Sequence, residues 1–285
     1  MKLFLSICGS VVVACFMLAA IVMMRLHTHG PALVTADPSI PITEIDCPKQ
    51  YHYARCGVIS APLDYQNPEE AEIQVAFIYH QPALPSIGKK RAVQVLHGGP
   101  GGAITEALKA WKFTKKRTRL MIRDRALIGV DPRGVGLSTN FECQVLGERH
   151  YNEPGVIETC AKQLGTKRIH ISTANTARDF DRVRRALGID EVDIYAFSYG
   201  TNLATVYASI FPEKVRTLAL DGAYPIIYPY FHPTFYDAMK RQFRQACERS
   251  EACGGDDALN ALAWAANELR QNPRPLHFPE KKETK

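Results

Sequence analysis

The stretch Val192–Phe211, VDIYAFSYGTNLATVYASIF, reads as a strand, a sharp bend and a helix. Val192 to Phe197 is rich in β-branched and aromatic residues, which suits a strand buried on both faces. Asn202 to Phe211 suits a helix, and Pro212 stops it. Ser198 falls on the bend, with Ala196 and Gly200 two places away on either side. A tight strand-to-helix turn admits only small residues at those flanks. This is the context of a nucleophile elbow, usually Gly-x-Ser-x-Gly, with Ala196 in place of the first glycine. A serine there meets the positive end of the helix dipole. The N–H of Tyr199 would point at a developing oxyanion. The alternative at this point is an ordinary strand–turn–helix without chemistry.

Working outward, further strands read at Glu72 to His80, Arg91 to Leu96, Arg125 to Val130 and Val215 to Leu220. Residues 177–187 place Phe180, Val183 and Leu187 on one helical face. Thr176 is the expected cap and Gly188 the expected stop. Short buried strands alternating with helices predict an α/β fold, a mostly parallel sheet with helices on both faces. The glycine-rich breaks fall at the C-terminal ends of strands, where open α/β sheets carry their sites. Residues 26–46, rich in Pro, Thr and His, read as a linker. Residues 235–253 and 256–270 read as helices without a following strand.

The second feature is His97-Gly98-Gly99-Pro100-Gly101-Gly102, directly after the strand Arg91 to Leu96. Glycines let the backbone approach a substrate and aim its N–H groups. A second oxyanion donor comes from a His-Gly-Gly loop in this position, and Gly99 is the candidate. A phosphate-binding loop is the rival, but Gly-x-x-x-x-Gly-Lys-Ser/Thr is absent. His97 precedes the serine, whereas hydrolases of this class run Ser, then Asp or Glu, then His. It reads as a residue that shapes the loop.

Composition narrows the class further. Of 285 residues, 46% are hydrophobic and 22% charged, a globular balance. Net charge is 35 − 29 = +6, weak evidence for nucleic acid, and none is expected as a partner. Lys109 to Arg125 holds eight basic residues, but no aromatic stacking platform accompanies them. A solvated face is the expected reading. Leu3 to Met24 carries no charge and is long enough to cross a bilayer. An uncleaved signal anchor is favoured over a cleaved secretory signal, whose apolar region is shorter. Outside that run, six cysteines fall as close pairs: Cys47 with Cys56, Cys143 with Cys160, Cys247 with Cys253. Three disulfides in an oxidising compartment are expected. Zinc is the rival, but no Cys-x-x-Cys pair is present.

Three motifs in order, His97–Gly101 (HGGPG), Asp131–Ser138 (DPRGVGLS) and Ser198–Thr201 (SYGT), resemble the proline iminopeptidase and tripeptidyl aminopeptidase branch of the α/β-hydrolases. Cys56-Gly57, Ala61–Tyr65, Cys143 with Cys160, and Leu220-Asp221-Gly222 extend the resemblance over about residues 44–224. It implies an α/β-hydrolase fold and an exported serine exopeptidase acting on peptide N-termini. Ser198 would attack the carbonyl, and the N–H groups of Tyr199 and Gly99 would hold the oxyanion. No metal or organic cofactor is implied. The expected division is 1–36 signal anchor or signal peptide plus linker, 37–224 the N-terminal part of the core, and 225–285 the beginning of a helical lid. In the family the Asp and His follow the lid. After Ser198 the histidines are His232 and His277, both in proline-rich stretches. The expectation is therefore the N-terminal part of a hydrolase, incomplete at its C-terminus. Two alternatives stand beside it: an inactive remnant serving as a binding module, and an esterase acting on small esters; the expected partner is a peptide or a small ester or amide substrate.

Overall fold

Strands form where the apolar runs are short and bounded by turn residues. They are β1 (Ile42–Ile45), β2 (Arg55–Pro62), β3 (Glu72–His80), β4 (Arg91–Leu96), β5 (Ala126–Val130), β6 (Glu191–Phe197) and β7 (Val215–Asp221). In this computed structural model they make one sheet in the order β1-β2-β3-β5-β4-β6-β7. The structure describes residues 32–49, 51, 54–82, 84, 88–110, 123–145, 153–224, 233–250, 253 and 255–274. The apolar run Leu3 to Met24 lies outside them, as do His232, His277 and most of the basic run. Among the described residues no helix is long and apolar enough to cross a membrane.

The strands β5, β4, β6 and β7 are parallel. The first three strands form an antiparallel ribbon that joins β5 through β3. The short Leu63–Ala71 turn permits that antiparallel pairing, whereas each parallel step needs a longer crossover. β1 lies inside the stretch read as linker, which corrects that expectation. Its four residues pair with β2 from Ile42↔Ile59 to Ile45↔Cys56. A strand this short has too few alternations to be seen in composition.

Among the described residues of Met1–Ile226 the α-helices are α1 (Ile104–Ala110), α2 (Val156–Leu164), α3 (Thr173–Ala186) and α4 (Tyr199–Ile210). The expected α/β architecture, with helices on both sheet faces, is present. Side chains alternate along a strand, and two apolar clusters result. Phe77, Ile128 and Leu96 pack with Phe180 and Val183 of α3 and Leu203 and Tyr207 of α4. Ile78, Leu127, Val93 and Val95 pack with Ile104 and Ala107 of α1. Burying each such large side chain stabilises the fold by about 1.5–3 kcal/mol.

Helix α3 starts a turn earlier than its periodicity predicts. Ser172 is the cap, and its side chain accepts from the Asn175 N–H. Thr176, the expected cap, is already helical and donates its hydroxyl to the Ser172 carbonyl at 3.0 Å. The stop holds: Gly188 follows with φ 65°. A polar link joins α3 to α4, since Tyr207 donates to Asp181 at 3.1 Å.

Three disulfides bridge Cys47–Cys56, Cys143–Cys160 and Cys247–Cys253, with Cα separations of 5.1, 5.4 and 5.0 Å. Those spacings fit the bond, and the pairs suit an oxidising compartment.

The chain divides into two compact units, Met1–Ile226 and Ile227–Lys285. The second holds α5 (Pro233–Ser250) and α6 (Gly255–Gln271). The disulfide of Cys247, which is buried, closes the turn between them. In the first unit β7 is the outer strand of the sheet. Its apolar residues are open to solvent: Leu218 is 40% exposed and Leu220 36%.

Candidate active site

Ser198 sits between the last residue of β6 and the first of α4. Its backbone has φ 53° and ψ −130°. It is the one non-glycine residue with positive φ among the described residues. A side chain held in that region is strained, and such strain concentrates at functional sites. Neighbouring packing enforces it. A Cβ on Gly200 would meet the Leu96 carbonyl oxygen at 2.5 Å and that of His97 at 2.8 Å. Helix α4 can therefore start this close to β4 only with glycine there. Ala196 is fully buried in the same register, so its methyl fits where the usual motif has glycine.

The glycine loop arrives from β4 beside the serine. A Cβ on Gly98 would lie 2.9 Å from Ser198 Cβ and 3.4 Å from Oγ. Gly99 turns the loop with φ 133°, and a Cβ there would strike the Gly101 nitrogen at 2.7 Å. His97 folds back onto this loop. Its Nδ1 lies 2.9 Å from the Gly98 carbonyl, so that nitrogen carries the proton and donates. The ring stands edge-on to Phe197 at 4.8 Å. The imidazole thus packs the loop, the part read for it. A small pocket opens here, with His97, Gly98, Gly102, Pro132, Tyr199 and Leu203 in its walls. The Tyr199 hydroxyl is fixed 2.8 Å from Thr173 Oγ1, at the start of α3.

The turn after β7 closes the other flank. The Ser198 N–H donates to the Asp221 carbonyl at 2.9 Å. Thr201 Oγ1 donates to the Ser198 carbonyl at 2.7 Å and accepts from the Tyr224 N–H at 2.9 Å. The Tyr224 hydroxyl stands 3.5 Å from Ser198 Oγ. Sequence reading gives no signal for Tyr224, and it marks Asp221 only as part of the Leu220-Asp221-Gly222 match, because their contacts with the bend cross from another element.

The DPRGVGLS motif builds the platform beneath. Asp131 is fully buried. Its carboxylate accepts from the Thr105 N–H at 3.0 Å, the Thr105 hydroxyl at 2.6 Å and the Leu137 N–H at 2.9 Å. It therefore caps α1 and closes its own loop at once. Arg133 is 1% exposed, and each of its N–H groups is bonded. Nε and Nη2 fork onto Asp179 at 2.8 and 2.7 Å. The rest go to the carbonyls of Leu63, His170 and Pro62. Tyr65 donates to the same Asp179 carboxylate at 2.8 Å. A buried charge pair is tolerable only when its remaining donors are satisfied in this way.

Among the described residues no group of three metal-ligating side chains is close enough to hold an ion.

Residues 92–267 match the family model described as the alpha/beta hydrolase fold. The chain belongs to the α/β-hydrolase fold family. Relatives within it include serine protease Hip1 of Mycobacterium tuberculosis, 32% identical over 194 residues, covering 60% of this chain and 36% of that protein. Tripeptidyl aminopeptidase of Streptomyces lividans is 29% identical over 206 residues, covering 62% and 37%. Carboxylesterase B of Mycobacterium tuberculosis is 33% identical over 257 residues, covering 79% and 48%. The chain thus spans between about a third and a half of the length of these α/β-hydrolase relatives.

Proposed function

We propose that this α/β-hydrolase chain is part of an exported serine aminopeptidase that forms an acyl-enzyme through Ser198. One observation carries the reading: a serine with left-handed backbone at a strand end, with Gly98 against its side chain. In the proposed step Oγ attacks the scissile carbonyl carbon and a general-base imidazole takes its proton. The carbonyl electron pair moves to oxygen, where the N–H groups of Tyr199 and Gly99 receive it. Collapse expels the amine, which takes the proton back, and water then releases the acyl group. Peptide N-termini as substrate follow from the three-motif resemblance and from a tripeptidyl aminopeptidase among the relatives. Residues 225–285 are read as the beginning of a lid. Export is supported by the three disulfides, and residues 3–24 would anchor the chain in a membrane.

A fluorophosphonate probe should label Ser198 in a complete form of the protein, and Ser198→Ala should abolish labelling. Labelling that survives Ser198→Ala overturns the nucleophile assignment. Peptide amides with a free amino terminus should be cleaved, and their N-acetylated forms should not. Turnover of small esters with neither peptide cleaved favours the esterase reading, which a carboxylesterase among the relatives keeps specific.

A further inference from the structure

We propose that Tyr224 belongs to the reacting centre: its phenol hydrogen-bonds Ser198 Oγ before reaction and donates to the tetrahedral oxygen during acyl transfer. The inference rests on Ser198 being the nucleophile. The Tyr224 hydroxyl lies 3.5 Å from Oγ, a long contact for a resting hydrogen bond. It is not a chance approach of a loose turn. Two main-chain ties fix the 221–224 turn to the bend. One is the Ser198 N–H on the Asp221 carbonyl at 2.9 Å. The other runs through Thr201, whose hydroxyl joins the Ser198 carbonyl to the Tyr224 N–H at 2.7 and 2.9 Å. Thr201 is fully buried, so water does not compete for that relay. Gly222, with φ 65°, lets the chain double back.

The chemistry follows from reach. When Oγ bonds to the carbonyl carbon, the carbonyl π pair moves onto its oxygen and the serine proton goes to a general base. The new oxyanion and Oγ then share one tetrahedral carbon, closer together than any hydrogen bond. A donor must lie about 2.7–3.1 Å from that oxyanion. A phenol 3.5 Å from Oγ can reach an oxyanion held beside it by the Tyr199 N–H of the same bend. Tyr224 keeps its proton throughout and lends only the hydrogen bond. Because that bond strengthens in the transition state, its loss should lower kcat and leave KM unchanged.

The test uses a complete form of the protein, with the triad Asp and His present, carrying Tyr224→Phe, and carrying 3,5-difluorotyrosine at 224, which keeps the hydroxyl and makes it a stronger donor. Fluorophosphonate labelling and p-nitrophenyl acetate turnover are measured beside Ser198→Ala, with thermal midpoints as a folding control. Tyr224→Phe should label about tenfold or more slowly, with kcat lowered, KM within twofold and an unchanged midpoint. The difluoro form should label at least as fast as wild type, with an added fall at the lower pH where its phenol ionises. Should Tyr224→Phe fail to fold, that added fall alone decides. Wild-type labelling by Tyr224→Phe, or a difluoro form without the fall, overturns the Tyr224 inference while Ser198 stands. Labelling that survives Ser198→Ala overturns both.

Discussion

Gly98 shows how little room surrounds the reacting side chain. An added methyl would sit 2.9 Å from Ser198 Cβ, inside any real carbon contact. Gly98→Ala should slow fluorophosphonate labelling by about 10²-fold, the cost of misplacing a reacting group by about an ångström. Its thermal midpoint should fall far less than its reactivity. Asp193 shows electrostatics at the same scale. Burial works against its charge, yet hydrogen bonds from Arg216, Thr217 and Arg125 outweigh that and hold its carboxyl below the usual carboxylate range. The Arg216, Thr217 and Arg125 contacts are 2.5, 2.7 and 2.6 Å. A lowered folded-state value gives stability that is present above the unfolded value, about pH 3.9, and lost as pH falls through the folded one. Asp193→Asn should therefore lower the thermal midpoint at pH 7, and the gap to wild type should narrow below about pH 4. The place of Ser198 on a bend is legible in the chain because strand, small flanks and helix are neighbours in it. Tyr224 is not, since it comes within reach only when β7 pairs with β6. Arg133 stands between: its motif is visible, but its carbonyl partners at Pro62, Leu63 and His170 are not.

Elements owe their positions to close backbone approach as much as to apolar faces. Helix α4 meets the end of β4 through Gly200, where an alanine methyl would strike main-chain oxygens at 2.5 and 2.8 Å. Main chain cannot swing aside as a side chain can. Gly200→Ala should thus cost more than the about 1–3 kcal/mol of ordinary overpacking, read as a shift in urea midpoint. A wild-type midpoint would mean that α4 can slide. Strands such as β3 and β4 are legible to the residue because both ends carry turn chemistry. Helix starts are not. α3 and α4 each begin before their apolar periodicity, since first-turn residues such as Thr173 and Tyr199 are spent on the cap and the site. β1 escapes notice for another reason: pairing with β2, not its own composition, makes it a strand.

The first unit combines a two-sided core with covalent ties, one of which, Cys47–Cys56, lies within that core. Cys143–Cys160 closes a loop of separation 17, a constraint worth about 3 kcal/mol in the loop-entropy account. Replacing both cysteines by serine should lower the thermal midpoint under oxidising conditions and abolish its sensitivity to dithiothreitol at that pair. A midpoint unchanged by the substitution would show that the loop is already held by α2 and its surroundings. The basic run Lys109 to Arg125 finds one described role: Arg125 pairs with Asp193 at 2.6 Å, inside the fold's own charge network. The outer position of β7 has a different reach. Among the described residues no strand pairs with its other side, where the leucines are bare and Val215–Asp221 holds no proline or lysine, and the register shift that leaves Arg216 as an extra residue sits at its start. A strand laid against β7 would act on the turn that holds Asp221 and Tyr224 before any other part of the site.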